Sequence, residues 1–344
     1  MQLDDVRNKR NIFFFFRVFG AYMAFLLDDW ISQEKLSPDD VIRKRAEYFD
    51  SNLDRCLESF PPELCVPALS RRLSVAEAQS LLLHFGDARG ALQTRTLSEC
   101  GQWVEQCLQQ LGGRAFVKLV SRSAKDVAWS SRALWPLYRS VKIMQKSGDE
   151  TDSSMRLKRL YEAQKMLQCC ASWKEALDLI CESSRCAFDL ALDLRVPGDL
   201  RSGIAIRPWT EAALEDEFRV YFRNGRVTCV SQYFSQLYFP NLTKQKCVEA
   251  GRFASEKILP LLPLQSGAAD VIFVQGKWKL LEAGQWATST SACLFSWETD
   301  LAILNGDVAP QDGLPFHCRV AEKEPDYQTM TLPANWKRVV LEGD

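Results

Sequence analysis

The stretch from Asp270 to Trp297 constrains the fold most. An apolar run of strand length begins at Asp270 and ends near Gly276, and a second run, Lys277 to Glu282, follows at once. That pattern predicts a β-hairpin with one carboxylate at the outer end of each strand, Asp270 and Glu282. Two carboxylates on neighbouring strands suit a hard cation that also holds phosphates. Side chains alternate faces along a strand. A two-residue loop at Gln275-Gly276 therefore puts the two acids on opposite faces, and a three-residue loop centred on Gly276 pairs them on one face. The metal reading thus requires an odd-length loop. The plainer alternative is an ordinary hairpin with two solvated acids.

A chain of 344 residues suits one large or two medium domains. Its net charge of −1 gives no global basic field for nucleic acid or an acidic membrane. Twelve cysteines and two histidines are present, with no CxxC pair, so no zinc ligand set is recognisable. Reduced, mostly buried thiols are expected, in a cytosolic or nuclear compartment, with cytoplasmic as the expected localisation. The apolar run Ile12 to Leu27 follows Lys9-Arg10 as a signal peptide does, but Arg17 interrupts it and it is shorter than a bilayer span. A buried helix or strand is the plainer expectation. The basic groups Arg43, Lys44, Arg45 and Lys158, Arg159 stand beside acids on predicted helices, as on solvated faces.

Helix starts are written at Ser37-Pro38 and at capping boxes Ser74–Glu77, Thr96–Glu99 and Ser172–Glu175. Ala115 to Val120 reads as a strand, with Lys118 among apolar neighbours. A lysine there either snorkels outward from an edge strand or reaches a phosphate. The region from about 130 to 172 looks like an insertion, with a polar linker at Ser147 to Ser154. The C-terminal half turns to β: Gly203 to Trp209, then a hairpin around Asn224-Gly225. Two-residue pairing opposes Glu217 to Gln232 and Arg219 to Val230. Phe218, Val220 and Phe222 then face the core, while Glu217, Arg219, Tyr221, Thr228 and Gln232 share the other face. Thr243 to Leu259 is an amphipathic helix ended by Pro260. Strands and helices are mixed, so the class is α+β and mostly antiparallel.

Seven short matches occur in order: Leu111-Gly-Gly-Arg-Ala-Phe-Val-Lys-Leu-Val, Ala124-Lys-Asp-Val-Ala-Trp129, Ile206-Arg-Pro-Trp209, Glu217-Phe-Arg-Val-Tyr-Phe, Val230-Ser-Gln, Cys293-Leu-Phe-Ser-Trp-Glu298 and Leu314-Pro-Phe-His-Cys318. Together they resemble the cell division cycle protein 123 family, over roughly Pro67 to Leu341 apart from the insertion. The resemblance implies an ATP-grasp fold, in which two lobes with mostly antiparallel sheets hold ATP. On that frame residues 1–66 are an extension, 67–202 the N-terminal lobe and 203–344 the C-terminal lobe. It also implies an assembly chaperone that binds the gamma subunit of eukaryotic translation initiation factor 2, with no chemical reaction firmly attached. A monomer with ATP and Mg²⁺ as cofactors, and no nucleic-acid or membrane partner, is expected.

The resemblance also implies the site residues. Lys118 matches a lysine that contacts ATP phosphates, and Asp126, Arg207, Glu217, Arg219, Ser231 and Gln232 match further nucleotide-side positions. Asp270 and Glu282 match the two metal acids. Departures accompany these matches. The family's metal-binding asparagine is here Gly284, and the arginine and acid of its S-Q-R-D are Tyr233 and Phe234. The hairpin loop before Gly276 is one residue shorter, and a bulge can restore the pairing of the acids. Losing a charge-assisted contact costs about 1.5–3 kcal/mol, so weakened nucleotide binding is expected. Two further readings stand beside the chaperone: an ATP-grasp carboxylate–amine ligase, and a degenerate ATP-grasp interaction module that no longer binds nucleotide.

Overall fold

The structure, a computed structural model, describes residues 31–86 (except 51–59), 88–130, 134–144, 152–196, 198–288, 290–310 and 313–343. The apolar run 12–27 and most of the linker 147–154 lie outside the described residues. In chain order the elements used below are α1 (Pro38–Asp50), β1 (Leu69–Arg72), α2 (Val75–Leu83), α3 (Ser98–Gln110), β2 (Ala115–Leu119), α4 (Ser153–Leu167), β3 (Cys169–Cys170), α5 (Trp173–Glu182) and α6 (Ser184–Arg195). They continue with β4 (Gly203–Pro208), β5 (Glu217–Arg223), β6 (Arg226–Gln232), α7 (Lys244–Phe253), β7 (Gly267–Val274), β8 (Lys277–Gln285), β9 (His317–Arg319) and α8 (Ala334–Glu342).

Two compact units result. The first takes residues 1–50, 69–131 and 167–209, and the second takes 51–68, 132–166 and 210–344. The expected lobe boundary at 202/203 therefore falls one strand early. β4 is central to the first unit's sheet, whose order is β1-β4-β2-β3, all antiparallel. One face of that sheet, Val117, Leu119, Ile204 and Ile206, packs with Leu81, Cys100, Val104, Leu108, Leu177 and Ile180 from α2, α3 and α5. Local chemistry sets these helices. Ser74 accepts from the Glu77 N–H, and Glu77 accepts in return from the Ser74 N–H. Ser172 caps α5, accepting from the Glu175 N–H, while the Glu175 carboxylate accepts from the Ala171 N–H one residue earlier. The expected box at Thr96–Glu99 does not form: a 3-10 turn, Arg95–Leu97, precedes α3, and Leu97 stands at the cap. Leu97 is buried, so packing of its side chain decides where the helix begins. Arg45 of α1 is not on a solvated face either: its Nε donates to Asp193 Oδ1 of α6 at 2.8 Å, both buried.

The second unit holds a five-stranded sheet in the order β8-β7-β5-β6-β9, antiparallel except for the β6–β9 pair. Phe218, Val220, Phe222, Val230, Ala269, Val271 and Leu280 form its apolar face and meet Cys247, Val248 and Ala250 of α7. Phe316 closes on Gly251 of α7, where a Cβ would stand 2.2 Å from the ring. The region expected as an insertion is integral here from residue 153 onward. Arg156 Nε of α4 donates to the Val340 carbonyl of α8 at 3.0 Å, and the rings of Tyr161 and Trp336 meet edge to face at 5.4 Å. Arg159, expected on a solvated face, is buried, and so is Arg156.

Both predicted hairpins form, each with a two-residue loop whose residues take positive φ: Asn224 and Gly225 (50° and 71°), Gln275 and Gly276 (50° and 74°). Their twist suits adjacent antiparallel strands. Each hairpin also carries a bulge, one between Tyr221 and Phe222 against β6 and one between Asp270 and Val271 against β8.

Candidate functional site: a polar row across the second sheet

The two bulges decide the site. In β7–β8, Val271 opposes Leu280, but Asp270 opposes Glu282, leaving Leu281 as the extra residue. An even loop therefore pairs the acids after all, which corrects the requirement for an odd one. In β5–β6 the bulge moves the expected register by one. Arg219 opposes Ser231, not Val230, and Phe218 opposes Gln232. Gln232 thus leaves the polar face on which it was expected, and Ser231 takes its place.

With Arg219 opposite Asp270 and Ser231 opposite Arg319, a single row runs across all five strands: Arg319, Ser231, Arg219, Asp270, Glu282. The row lies on the face away from Val220, Val230 and Val271. Arg219 Nε and its second terminal nitrogen donate to Asp270 Oδ1 and Oδ2 at 2.7 and 2.8 Å. Its other terminal nitrogen donates to the Ser291 carbonyl at 3.0 Å, and its guanidinium carbon stands 4.9 Å from the Tyr233 ring centre. Burial works against the cation, but the Asp270 carboxylate outweighs it, and the Arg219 pKa rises well above its ordinary value. Tyr233 is therefore a lid on Arg219. Phe234 stacks edge to face on Tyr161 at 5.4 Å.

The loop after β8 covers the row. Ser291 carbonyl accepts from Tyr221 Oη at 2.6 Å as well as from Arg219, and Leu294 N–H donates to Ser231 Oγ at 3.2 Å. Arg319 donates to both oxygens of Asp300 at 2.6 and 2.9 Å, and its guanidinium stacks 4.2 Å from the Phe295 ring centre. Its hydrogen bonds hold the Asp300 carboxyl below the usual range. Arg319 and Asp300 escaped sequence reasoning, although Arg319 directly follows the Pro-Phe-His-Cys match. Its place depends on the parallel β6–β9 pairing, which no local pattern announces.

Like Arg219 and Ser231 above, three more of the predicted residues have structural partners. Gln232 Nε2 donates to the Phe234 and Leu237 carbonyls at 2.9 and 2.7 Å, and its Oε1 accepts from the Ala321 N–H at 2.8 Å. All its polar atoms tie down the chain around it. Asp126 accepts from Ser183 Oγ, Ser184 Oγ and Arg185 N–H at 2.7, 2.9 and 3.2 Å, so it holds the start of α6. Asp270 is the third. Glu217 is half-buried at the start of β5 and shares the face of Arg219.

On the first unit, Lys118 is buried on β2 opposite Ala205, so it does not snorkel into solvent. Phe116 and Arg207 oppose each other on the same face, with the guanidinium carbon 4.6 Å from the Phe116 ring centre. This face lies away from the apolar core and brings two buried cations together, chemistry that suits a phosphate group. For Mg²⁺ the donor set fits only a weakly held ion. Among the described residues no group of three or more His, Cys, Asp or Glu side chains converges. Of the two aligned carboxylates, Asp270 is already bidentate to Arg219, which an incoming ion must disturb.

No helix among the described residues is long and apolar enough to cross a membrane. No curated protein matches the chain. Two solved structures of Cdc123 from Schizosaccharomyces pombe do. The first shares 18% identity at a TM-score of 0.58, covering 80% of this chain and 96% of that one. The second, C-terminally truncated, shares 17% identity at 0.56, covering 81% and 98%. At that identity the likeness establishes the fold, α+β with antiparallel-rich sheets and ATP-grasp-like. The D123 family model matches residues 158–337, just over half of the chain. It begins inside α4, the helix that the second unit packs as its own, and ends within α8. The chain belongs to the D123 family.

Proposed function

We propose that this chain is an assembly chaperone whose client is the gamma subunit of translation initiation factor 2, and that it holds Mg-ATP weakly. The observation that carries the reading is the row Arg319–Ser231–Arg219–Asp270–Glu282, which lies within the family match or at its sheet register. Such a row gives fixed charge on a rigid sheet and needs no reacting group. It suits a protein that binds and positions rather than one that transfers atoms. On the second unit, Glu282 and Asp270 are the residues for the metal. When bound, Mg-ATP supplies differential affinity between client-bound and client-free states. The test is capture of the purified gamma subunit by the immobilised full chain, with and without Mg-ATP. Capture strengthened by nucleotide supports the reading, and no capture in either condition rejects it.

A second reading, a client-binding module that no longer uses nucleotide, is favoured by one observation. The Arg219–Asp270 pair is closed by four contacts, to Asp270 twice, to Ser291 and to Tyr233. Capture of the client that is indifferent to Mg-ATP selects it.

A further inference from the structure

Arg71-Arg72-Leu73-Ser74-Val75 joins the end of β1 to the start of α2. Ser74 is the only serine or threonine of the chain with basic residues at both the third and the second position before it. Val75, next in line, is apolar and 51% exposed. Two guanidiniums, a hydroxyl and an apolar side chain at these spacings fit the substrate groove of a basophilic serine/threonine protein kinase. Such a groove holds the arginines with carboxylates and takes the following residue in an apolar pocket.

The segment stands where a kinase can reach it. Ser74 and Arg72 are exposed. The backbone is extended along β1 and still extended at Ser74, with φ −71° and ψ 160°. β1 is an edge strand of its sheet, and β4 is the one strand it pairs with. Leu73 is buried, and its N–H donates to the Ser202 carbonyl at 3.0 Å, so the kinase reads the segment as this edge lifts. A short edge held by one neighbour opens at less cost than a central strand.

The hydroxyl is also the centre of a tight charged cluster. Ser74 Oγ donates to Glu77 Oε2 at 2.9 Å and accepts from the Glu77 N–H at 3.2 Å. The Ser74 N–H donates to the same Oε2 at 2.8 Å, and Arg71 donates to Glu77 Oε1 at 2.9 Å. Glu77 is only 3% exposed, so its carboxylate is fixed beside the hydroxyl and does not turn away into water. A phosphoryl group there replaces the O–H donor with about two negative charges. Charge at a helix N-terminus is ordinarily favourable, but the Glu77 carboxylate already occupies that place. Two anions then compete for Arg71 and for the same amides.

We propose that Ser74 is a phosphorylation site for a basophilic serine/threonine kinase, and that the phosphate opens the start of α2. The kinase supplies ATP and a catalytic base. Ser74 Oγ attacks the γ-phosphorus as the bond from that phosphorus to the β–γ bridging oxygen breaks. ADP leaves with the electron pair, and the hydroxyl proton passes to the base. Serine and ATP become phosphoserine, ADP and one proton. The capping box then cannot re-form, because its donor to Glu77 is gone and a dianion stands in its place. The first turn of α2 frays, on the helix that brings Ala78 and Leu81 to the core of the first unit.

The test treats the full native chain with the catalytic subunit of cyclic-AMP-dependent protein kinase and Mg-ATP. Mass spectrometry maps the phosphate, and amide hydrogen exchange compares the modified with the unmodified chain. The expected result is phosphate on Ser74, none without the kinase, and exchange about 3–30-fold faster in the first turns of α2. Arg72→Ala changes only an exposed side chain, so it leaves the fold in place, and it is expected to slow incorporation about 10-fold or more. A native chain left unmodified at Ser74 overturns the proposal. So does incorporation at Ser74 that proceeds as fast in Arg72→Ala. Exchange in α2 that is unchanged or slower in the phosphorylated chain overturns it as well.

Discussion

Arg219 and Asp270 face each other across β5 and β7 and are joined by two parallel hydrogen bonds of 2.7 and 2.8 Å, both side chains almost fully buried. Removing one partner of such a pair strands a charge in the sheet. Asp270→Ala is expected to cost about 3–5 kcal/mol in urea unfolding, and the double change Arg219→Met with Asp270→Leu far less, because it leaves no orphaned ion. A single-mutant cost below about 1 kcal/mol contradicts the closed pair.

Gly284 opens the opposite experiment. It stands two residues beyond Glu282 on β8, and a Cβ there would meet nothing within 4 Å. An asparagine fits without displacing a neighbour and shares the face of Glu282. Gly284→Asn is expected to leave stability nearly unchanged and to tighten Mg-ATP binding by roughly 3–10-fold, the worth of one added polar contact. Unchanged affinity in a folded variant removes the β7–β8 hairpin from the metal site.

Asp126 holds the start of α6 through Ser183, Ser184 and Arg185. Asp126→Ala is expected to lower stability by about 1–3 kcal/mol, since it leaves buried donors without a partner. Its Mg-ATP affinity is expected to match that of the native chain. A fall in affinity with stability intact returns Asp126 to the nucleotide side.

How much of this was legible depended on how local the cause was. The box at Ser74 and the Asn224-Gly225 turn are written within four residues and form as read, while at Ser172 the serine caps but Glu175 accepts from the Ala171 N–H instead. Thr96–Glu99 is written the same way, yet burial of Leu97 overrides it. The apolar faces of β5 and β7 could be read from alternation. The register across the strands could not, because a bulge depends on what each strand packs against. Leu280, beside one bulge, donates to the Leu64 carbonyl and accepts from the Val66 N–H, a pairing made with residues more than 200 positions away in sequence. The site residues Asp270, Glu282 and Arg219 came from the hairpins and the resemblance. The pairing of Arg219 with Asp270, the lid by Tyr233 and the Arg319–Asp300 end of the row are tertiary and left no sequence trace.

The Asp300 carboxyl is held below its usual range by hydrogen bonds from Arg319. A depressed carboxyl contributes stability that is present above its unfolded-state pKa of about 3.9 and is lost as pH falls through the folded-state value. Asp300→Asn is therefore expected to be less stable than the native chain at pH 6, with the gap closing below about pH 4. Parallel urea titrations across that range check it, and a gap that persists at pH 2 or widens on acidification contradicts the pairing.

Titration calorimetry of Mg-ATP into the native chain and into Glu282→Ala tests the polar row most directly. Glu282 is half-buried opposite Asp270, so its removal leaves the Arg219 pair in place. Weak binding by the native chain, in the range of about 0.1–1 mM, that falls at least several-fold in the variant is the predicted result. Equal affinity in the two proteins, or no binding by the native chain at millimolar nucleotide, contradicts a metal seat at Asp270 and Glu282.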